Sequence, residues 1–437
     1  MYMRRESIVV LGAGLAGLSF AYEATRLGHS VTLVEKEAEA GGLLRSEEVN
    51  GYVFDTGGSH VIFSKYPERV KFLTRILNGN IVRNRRDARI FYNGTLVKYP
   101  FENGLYALPA EKRYKALKDI LERYIEYRCG GSRSVENFEE WLYATFGETI
   151  ASEYLVPYNR KLWKRDLKQI SLDWVGNRVP QPPLDDVIRS AVGIPTEGYL
   201  HQLFFYYPRS GGIQSLADAF KARVEGSPLS SLVLGKEAVK VDPYEGEVVL
   251  SDGSAVRGDR IVSTIPLPEL YRALGLRLNL DYNSLVVVGV GVKDARLPRV
   301  HWIYFPNEDI VFHRLAILSN YSPYMSPKGS ATLVAEITLR PGETFDEEKV
   351  VNATLDGLEA AGLLRGRGSV EVVRAWYWRY AYIVYDHNYS RRVREAKERL
   401  RRLGISLIGR FGLWEYMNMD DVVYRSISEA RRMGRAR

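Results

Sequence analysis

The sequence predicts an α/β protein: a Rossmann-type nucleotide-binding domain with an inserted helical domain and an antiparallel-sheet domain. Three observations predict it. The first forty-five residues read strand, glycine-rich turn, helix, strand. A helix-period stretch runs from Pro109 to about Trp163. Strand-like runs recur between residues 285 and 337.

The first unit carries the most chemistry. Ile8 to Leu11 is a short apolar run, as a buried parallel strand requires. Gly12, Gly14 and Gly17 follow at the G-x-G-x-x-G spacing. Leu15 to Leu27 reads as an amphipathic helix closed by Gly28, and Ser30 to Val34 as a second strand ending at Glu35. In such a unit Gly12 makes the tight turn and Gly14 admits a pyrophosphate against the backbone. Gly17 lets helix and strand pack closely. The helix N-terminus supplies N–H donors and a positive dipole end. Glu35 lies where a carboxylate accepts hydrogen bonds from an adenosine ribose. A glycine-rich turn without a ligand would not need that acid, so the pattern predicts a dinucleotide site.

The rest of the chain follows in order. Tyr52, Phe54 and Gly57-Gly58 suggest a strand breaking into a loop where backbone approaches something flat. Short strands are expected near 81–84, 88–92 and 95–99. Asn137 is placed to cap a helix that Gly147 ends. Pro180 to Pro183 breaks the helical region. Phe204 to Phe220 reads strand, Gly-Gly turn, helix. Strands at 237–241 and 246–250 precede a turn at Asp252-Gly253. Ile261 to Ile265 reads as a buried strand rejoining the first sheet. Residues 285–292, 302–305, 310–317 and 331–337 predict an antiparallel sheet. A helix near 346–361, a strand near 370–378, a basic helix at 391–403, a strand at 405–408 and a terminal helix from about Asp420 complete the chain. No repeat or low-complexity linker separates these pieces, so interleaved domains are expected. Residues 1–80, 205–280 and 400–437 form the nucleotide-binding domain, 100–200 the helical domain, and 81–99 with 281–399 the sheet domain.

Composition excludes several classes. The chain of 437 residues is long enough for two or three cores. Its single cysteine, Cys129, rules out an intramolecular disulfide framework and fits a reducing, cytoplasmic setting. No metal-ligating constellation is present. No apolar run is long enough to span a membrane, and the opening residues leave no room for a signal peptide. The net charge of +8 comes from arginines and lysines interleaved with acids, so no nucleic-acid surface is predicted. Dense basic spots are confined to Arg83–Arg86 and the tail from Arg431. A homo-oligomer is compatible with all of this.

Further motifs point to a family. Residues 36–45 read KEAEAGGLLR, which resembles the second flavin fingerprint of glutathione-reductase-like and amine-oxidase-like FAD proteins. There Gly41, Gly42 and Arg45 would wrap the flavin side of the pyrophosphate. Residues 99–103 are YPFEN, residues 154–163 are YLVPYNRKLW, and 173–178 are DWVGNR. Residues 302–324 run from WIYFP through FHR to SNYSPY, and 409–416 are GRFGLWEY. Together these stretches resemble the UDP-galactopyranose mutases, the eukaryotic-type branch in particular, from the first strand to about Asp421.

The resemblance implies FAD as cofactor, NAD(P)H as reductant and a UDP-sugar as substrate. It implies non-redox isomerisation of UDP-galactopyranose to UDP-galactofuranose through a reduced-flavin N5–sugar adduct. Arg178 and Arg314 would clamp the diphosphate, with His60 beside the flavin. Tyr154, Tyr158, Asn159 and Trp163 would hold the uridine arm, and Tyr99 and Glu102 the uracil side. Tyr304, Tyr389 and Tyr416 would surround the diphosphate. Gly58, Val239, Arg410, Asn418, Met419 and Asp420 would join the flavin contacts. Guanidinium forks suit a diphosphate because their bonds are charge-assisted and often bidentate. Departures from the family pattern are Glu102 in place of Gln, Gln214 in a Gly-Gly-Ile-Trp turn, and Asp421 in place of His.

Three other readings stay open on the sequence. One is an oxidase of the amine-oxidase or protoporphyrinogen-oxidase type, and another is a related mutase for a different nucleotide sugar. The third is a non-catalytic nucleotide-sugar or dinucleotide-binding protein. The clamp assignment predicts that Arg178→Ala or Arg314→Ala lowers mutase turnover roughly 10²-fold or more while flavin stays bound. Near-normal turnover in both variants removes the clamp.

Overall fold

The computed structural model describes residues 5–131, 134–175, 183–198, 203–293 and 297–435. Five parallel strands form the first sheet, in the order Ile405–Leu407, Arg260–Ser263, Ser7–Leu11, Ser30–Val34, Ser230–Val233. Successive residues of a strand face opposite sides, and here both sides are covered. Ile8 and Val10 join one core with the helix Leu15–Arg26. Val9 and Leu11 join another with the helices Leu267–Ala273 and Tyr389–Arg402. The helix Leu15–Arg26 packs in turn on Gln214–Glu225 and on the terminal helix Met419–Arg435. Strands and helices from both chain ends and the middle therefore build one three-layer unit. The expected return of 261–265 to the first sheet is seen, one residue early.

A seven-stranded sheet lies beside it. Its order is Val370–Ile383, Tyr282–Val292, Ala331–Leu339, Arg314–Ile317, Trp302–Tyr304, Ala88–Tyr92, Thr95–Lys98. Val286, Val288 and Val290 face the helix Glu347–Ala360, while Leu285 and Val287 face the first unit. The expected antiparallel sheet is present with one correction. Trp302–Tyr304 pairs parallel to Ala88–Tyr92. That hairpin arrives from far upstream, so its direction is set by a long path and not by a tight turn. The strand expected over 310–317 shortens to Arg314–Ile317.

The helical region contains Ala110–Arg128, Phe138–Ile150, Val156–Trp163 and Leu184–Ala191. It closes over Ile90, Tyr92 and Val97 of the upstream hairpin. Asn137 caps its helix as expected, accepting from the Glu140 amide at 3.0 Å. Gly147 ends the first helical segment, as expected. It breaks the backbone at φ 77, and helical turns then resume as far as Trp163. A Cβ at Gly147 would also lie 2.6 Å from Asp119 Cβ, so close helix packing and the positive φ both call for glycine. The proline break expected at 180–183 falls largely outside the described residues.

Gly17 shows why the opening turn tolerates no side chain. A Cβ there would lie 2.0 Å from the Gly12 carbonyl oxygen. Gly17→Ala is expected to lower unfolding free energy by at least ~2 kcal/mol, the upper part of the usual cost of an overpacked methyl group, because the obstacle is backbone. Denaturant titration checks this; a loss under half that value would show that helix and strand can separate freely.

Candidate active site

A cleft of about 880 Å³ runs from the opening glycine loop to the seven-stranded sheet. At its first end Gly12 adopts φ +96, and a Cβ there would meet Thr264 Oγ1 at 2.3 Å. Gly14 differs. Its nearest obstacle is Gly42 Cα at 3.9 Å, so two glycine loops face each other with no side chain between them. The Gly41 amide donates to the Ala13 carbonyl at 2.9 Å and holds the loops together. The helix Leu15–Arg26 starts with no side-chain cap, leaving its amide donors to the cleft. Glu35 is buried at the same end. Its Oε2 accepts from the Ala13 amide at 2.8 Å and its Oε1 from the Glu37 amide at 3.1 Å. Each oxygen retains a lone pair for a ribose hydroxyl. The open cradle between Gly14 and Gly42, the uncapped helix and the acid fit the pyrophosphate and ribose of FAD.

The middle of the cleft is a clamp of charged groups. Arg45 stacks over Trp378 at 5.0 Å, and Trp378 donates to the Thr56 carbonyl at 2.6 Å. The loop then turns through Gly57 and Gly58, where a Cβ would meet Leu43 O at 2.1 Å and Glu336 Cδ at 2.9 Å respectively. His60 follows. Its Nδ1 lies 2.8 Å from the Gly58 carbonyl, which can only accept, so Nδ1 carries the proton and Nε2 is an acceptor. Burial pushes the His60 pKa down to about 4, helped by the Arg314 and Arg410 charges. The imidazole is neutral near pH 7.

Arg314 pairs across strands with Glu336. Its Nε and Nη2 reach Oε1 at 2.9 and 2.6 Å, and Nη2 reaches Oε2 at 2.8 Å. Arg410 donates to the Ala381 carbonyl at 2.7 Å and lies over Tyr416 at 4.7 Å.

An aromatic cluster runs from the far end of the cleft, lined by Tyr99 and Tyr304, into the core of the helical region, so that Tyr158 and Tyr154 lie behind the lining and not in it. Tyr99 and Tyr304 pack at 4.7 Å, Tyr304 and Tyr158 edge to face at 5.4 Å, and Tyr158 and Tyr154 stacked at 5.6 Å. Burial raises the pKa of Tyr154, Tyr158 and Tyr304, so all three remain neutral donors. Glu102 is buried next to this cluster. Burial and the nearby Asp186 raise its pKa to about 7.

The cleft thus gathers Gly12, Gly14, Glu35, Gly41, Gly42, Arg45, His60, Tyr99, Tyr304, Arg314, Arg410, Tyr416, Asn418 and Met419. Other expected residues lie elsewhere. Arg178 falls outside the described residues. Trp163 is a core residue, 1% exposed, packed on Trp174 and Tyr382. Asn159 spends its amide inside its own helix, donating to the Leu155 carbonyl and accepting from Trp163 Nε1. Tyr389 is buried behind the cleft and donates to the Trp414 carbonyl. Asp420 turns away from the cleft to accept from Ser64 and pair with Arg69. Gly58 packs on Glu336, and Gly17 on Gly12. Val239 is exposed, and its neighbour Ala238 lines the cleft instead.

Glu336 and Arg86 are among the lining residues that escaped the sequence reading. Glu336 could have been found as the one acid in a strand, Ala331–Leu339, whose every residue is buried. Arg86 lines the cleft with its guanidinium 5.7 Å from the Tyr99 ring. It hid in the basic run Arg83–Arg86, which resembles ordinary surface.

A family model described as flavin containing amine oxidoreductase matches residues 15–433. The chain belongs to this family. It is an FAD-dependent, amine-oxidase-like flavoprotein, and the α/β architecture expected from the sequence is the one found. A solved structure described as reduced UDP-galactopyranose mutase matches with a TM-score of 0.89 at 26% identity, covering 98% of this chain and 94% of that one. The resemblance first seen in sequence motifs therefore reappears in three dimensions. A 4,4'-diaponeurosporene oxygenase from Staphylococcus aureus (strain Mu50 / ATCC 700699) is 24% identical over 429 residues, 84% of each chain. A putrescine oxidase variant shares the fold, with a TM-score of 0.63 at 14% identity over 98% of this chain and 99% of that one. Among the described residues of this flavoprotein, no helix is long and apolar enough to cross a membrane, and no side-chain cluster could hold a metal.

His60 gives the site a pH signature. Its folded pKa of about 4 lies below the free value of 6.5. As pH falls below about 6.5 the unfolded chain takes up a proton that the native imidazole refuses, so stability drops until about pH 4. Across that window wild type is expected to lose about 3 kcal/mol more than His60→Asn. Urea titrations at several pH values measure this; parallel curves for the two proteins would contradict a buried neutral imidazole.

Proposed function

We propose that this flavoprotein interconverts UDP-galactopyranose and UDP-galactofuranose without net redox change, after reduction by NAD(P)H. The observation that carries the reading is Arg314, set in a cleft shared by the flavin-binding loops and the tyrosine cluster. The Nη1 end of that guanidinium, left open by Glu336 and set beside the tyrosines, suits an anionic diphosphate. It does not suit the cationic amine of an amine oxidase. The overall likeness to reduced UDP-galactopyranose mutase supports the same choice.

When bound and reduced, FAD supplies a nucleophilic ring nitrogen. Everything else is positioning by this chain. Gly14, Gly42, Glu35 and the start of the first helix hold the pyrophosphate and ribose. Arg314 stabilises charge on the departing diphosphate and keeps it in place for recapture. Arg178 is the second arm of that clamp by family resemblance. Tyr304 and Tyr416 add neutral donors, which strengthen binding less than further charges would. His60, neutral with Nε2 as acceptor, accepts a hydrogen bond beside the flavin and so tunes where the proton there is held. Tyr99 offers a face and a hydroxyl to a base, while Tyr158 and Tyr154 pack behind Tyr304. Glu102, as a neutral acid, presents both a donor and an acceptor, as the amide of Gln would.

The deciding experiment is chromatography of UDP-galactofuranose incubated with oxidised and reduced protein. Conversion only in the reduced state is expected. Oxygen consumption coupled to an amine or hydrocarbon, with no sugar conversion, would falsify the reading. Glu102 adds a finer test. Above pH 7 it ionises and becomes acceptor-only beside an anionic ligand, so UDP affinity should fall as pH rises from about 6 to about 8. Glu102→Gln should bind UDP with that dependence flattened. Calorimetry at both pH values checks it, and equal pH dependence in the two proteins removes Glu102 from base recognition.

A further inference from the structure

Glu336 does more than neutralise Arg314. Its side chain is 1% exposed and collects bonds from three elements. From the neighbouring strand it takes the Nε–Nη2 edge of Arg314. From the cleft loop it takes the Ser59 amide, on Oε1 at 3.0 Å. From the edge strand it takes the Tyr382 hydroxyl, on Oε2 at 3.3 Å. Arg314 Nη2 closes the ring by donating to the Ser59 carbonyl at 3.2 Å. Ser59 is therefore gripped at both its amide and its carbonyl. The glycine before it leaves room for the carboxylate, since any Cβ at Gly58 would collide with Glu336 Cδ. The Gly58 carbonyl in turn fixes the His60 ring.

Among the described residues nothing accepts from Arg314 Nη1, and Arg314 lines the cleft. The guanidinium thus has a locked edge and a free end. An anion meeting the free end pulls on a group that shares its locked edge with the Ser59 peptide. His313 lies 3.8 Å from Glu336 and bonds Tyr382 and Thr338, so a packed wall stands behind the carboxylate. The motion open to this unit is toward the loop and not away from it.

We propose that Glu336 is a positioning residue coupling anion capture at Arg314 to the placement of His60. The Glu336–Arg314–Ser59 ring is the coupling element, and the ligand class is a nucleoside diphosphate. The inference rests on the functional reading above and deepens it. It also explains why a buried ion pair is kept at an anion site, where an uncompensated arginine would attract the ligand more strongly.

The test uses holoprotein with isotope-labelled histidine and UDP as probe. In wild type, UDP should shift the His60 ring resonances. In Glu336→Gln, UDP should still bind, within about tenfold of wild-type affinity, but the His60 shift should be lost. Glu336→Asp, which keeps the charge, should restore part of the shift and guards against a folding defect in the amide variant. A full shift in Glu336→Gln would overturn the proposal, because direct contact or proximity would then move His60. Loss of UDP binding together with a lowered melting temperature in both variants would also overturn it, by showing a purely structural role. If wild type fails to bind UDP, the functional reading falls first and this inference with it.

Discussion

The cross-strand pair of Arg314 and Glu336 is the interaction on which the rest of the site depends. Removing two charges from water is costly, and only close geometry with further hydrogen bonds offsets the cost. Here the carboxylate accepts from Arg314, the Ser59 amide and Tyr382, so its oxygens are well used. The same bonds fix a loop that would otherwise be held by few side chains. Gly57 and Gly58 bring that loop close to Leu43 and Glu336, where no Cβ fits. A reactive site thus acquires rigidity from an ion pair that alone would add little to stability.

Interleaving makes the arrangement feasible. The loop carrying His60 comes from the first sixty-five residues, and Arg314 and Glu336 from the seven-stranded sheet. Tyr99 follows an upstream hairpin inserted beside Trp302–Tyr304. Arg410, Asn418 and Met419 come from the segment leading into the terminal helix. No single domain contains the cleft. The nucleotide-binding unit and the seven-stranded sheet each contribute backbone and several side chains, while the described residues of the helical region contribute none of the lining, and the shared cores between sheets keep the two in register. At the far end Tyr99 and Tyr304 line the cleft, with further tyrosines behind them, so the aromatic donors there are neutral and poorly solvated.

Legibility followed the range of the interaction. The opening turn could be read because its chemistry is local: Gly12, Gly14, Gly17 and Glu35 act within one strand–helix–strand unit. Asn137 could be read for the same reason, since a cap bonds three residues ahead. Trp163, Asn159 and Tyr389 match a family motif, yet the fold places their polar atoms against neighbours and not in the cleft. An aromatic or amide in sequence does not disclose which way it faces. Glu336 went unnoticed because its partner is on another strand. Arg86 went unnoticed because its run of arginines looks like solvated surface.

By itself the sequence determined the nucleotide-binding unit, its flavin preference and the family. The first rests on short-range geometry, in which glycine spacing and one acid at the end of a strand suffice; the other two rest on the resemblance of motifs along the whole chain. Only the tertiary structure decided the pairing of Arg314 with Glu336, the grip on Ser59 and the neutral state of His60. It also decided the raised pKa of Glu102 and the retreat of Trp163 into the core. Burial and cross-strand register control all of these, and both come into being only when distant segments pack.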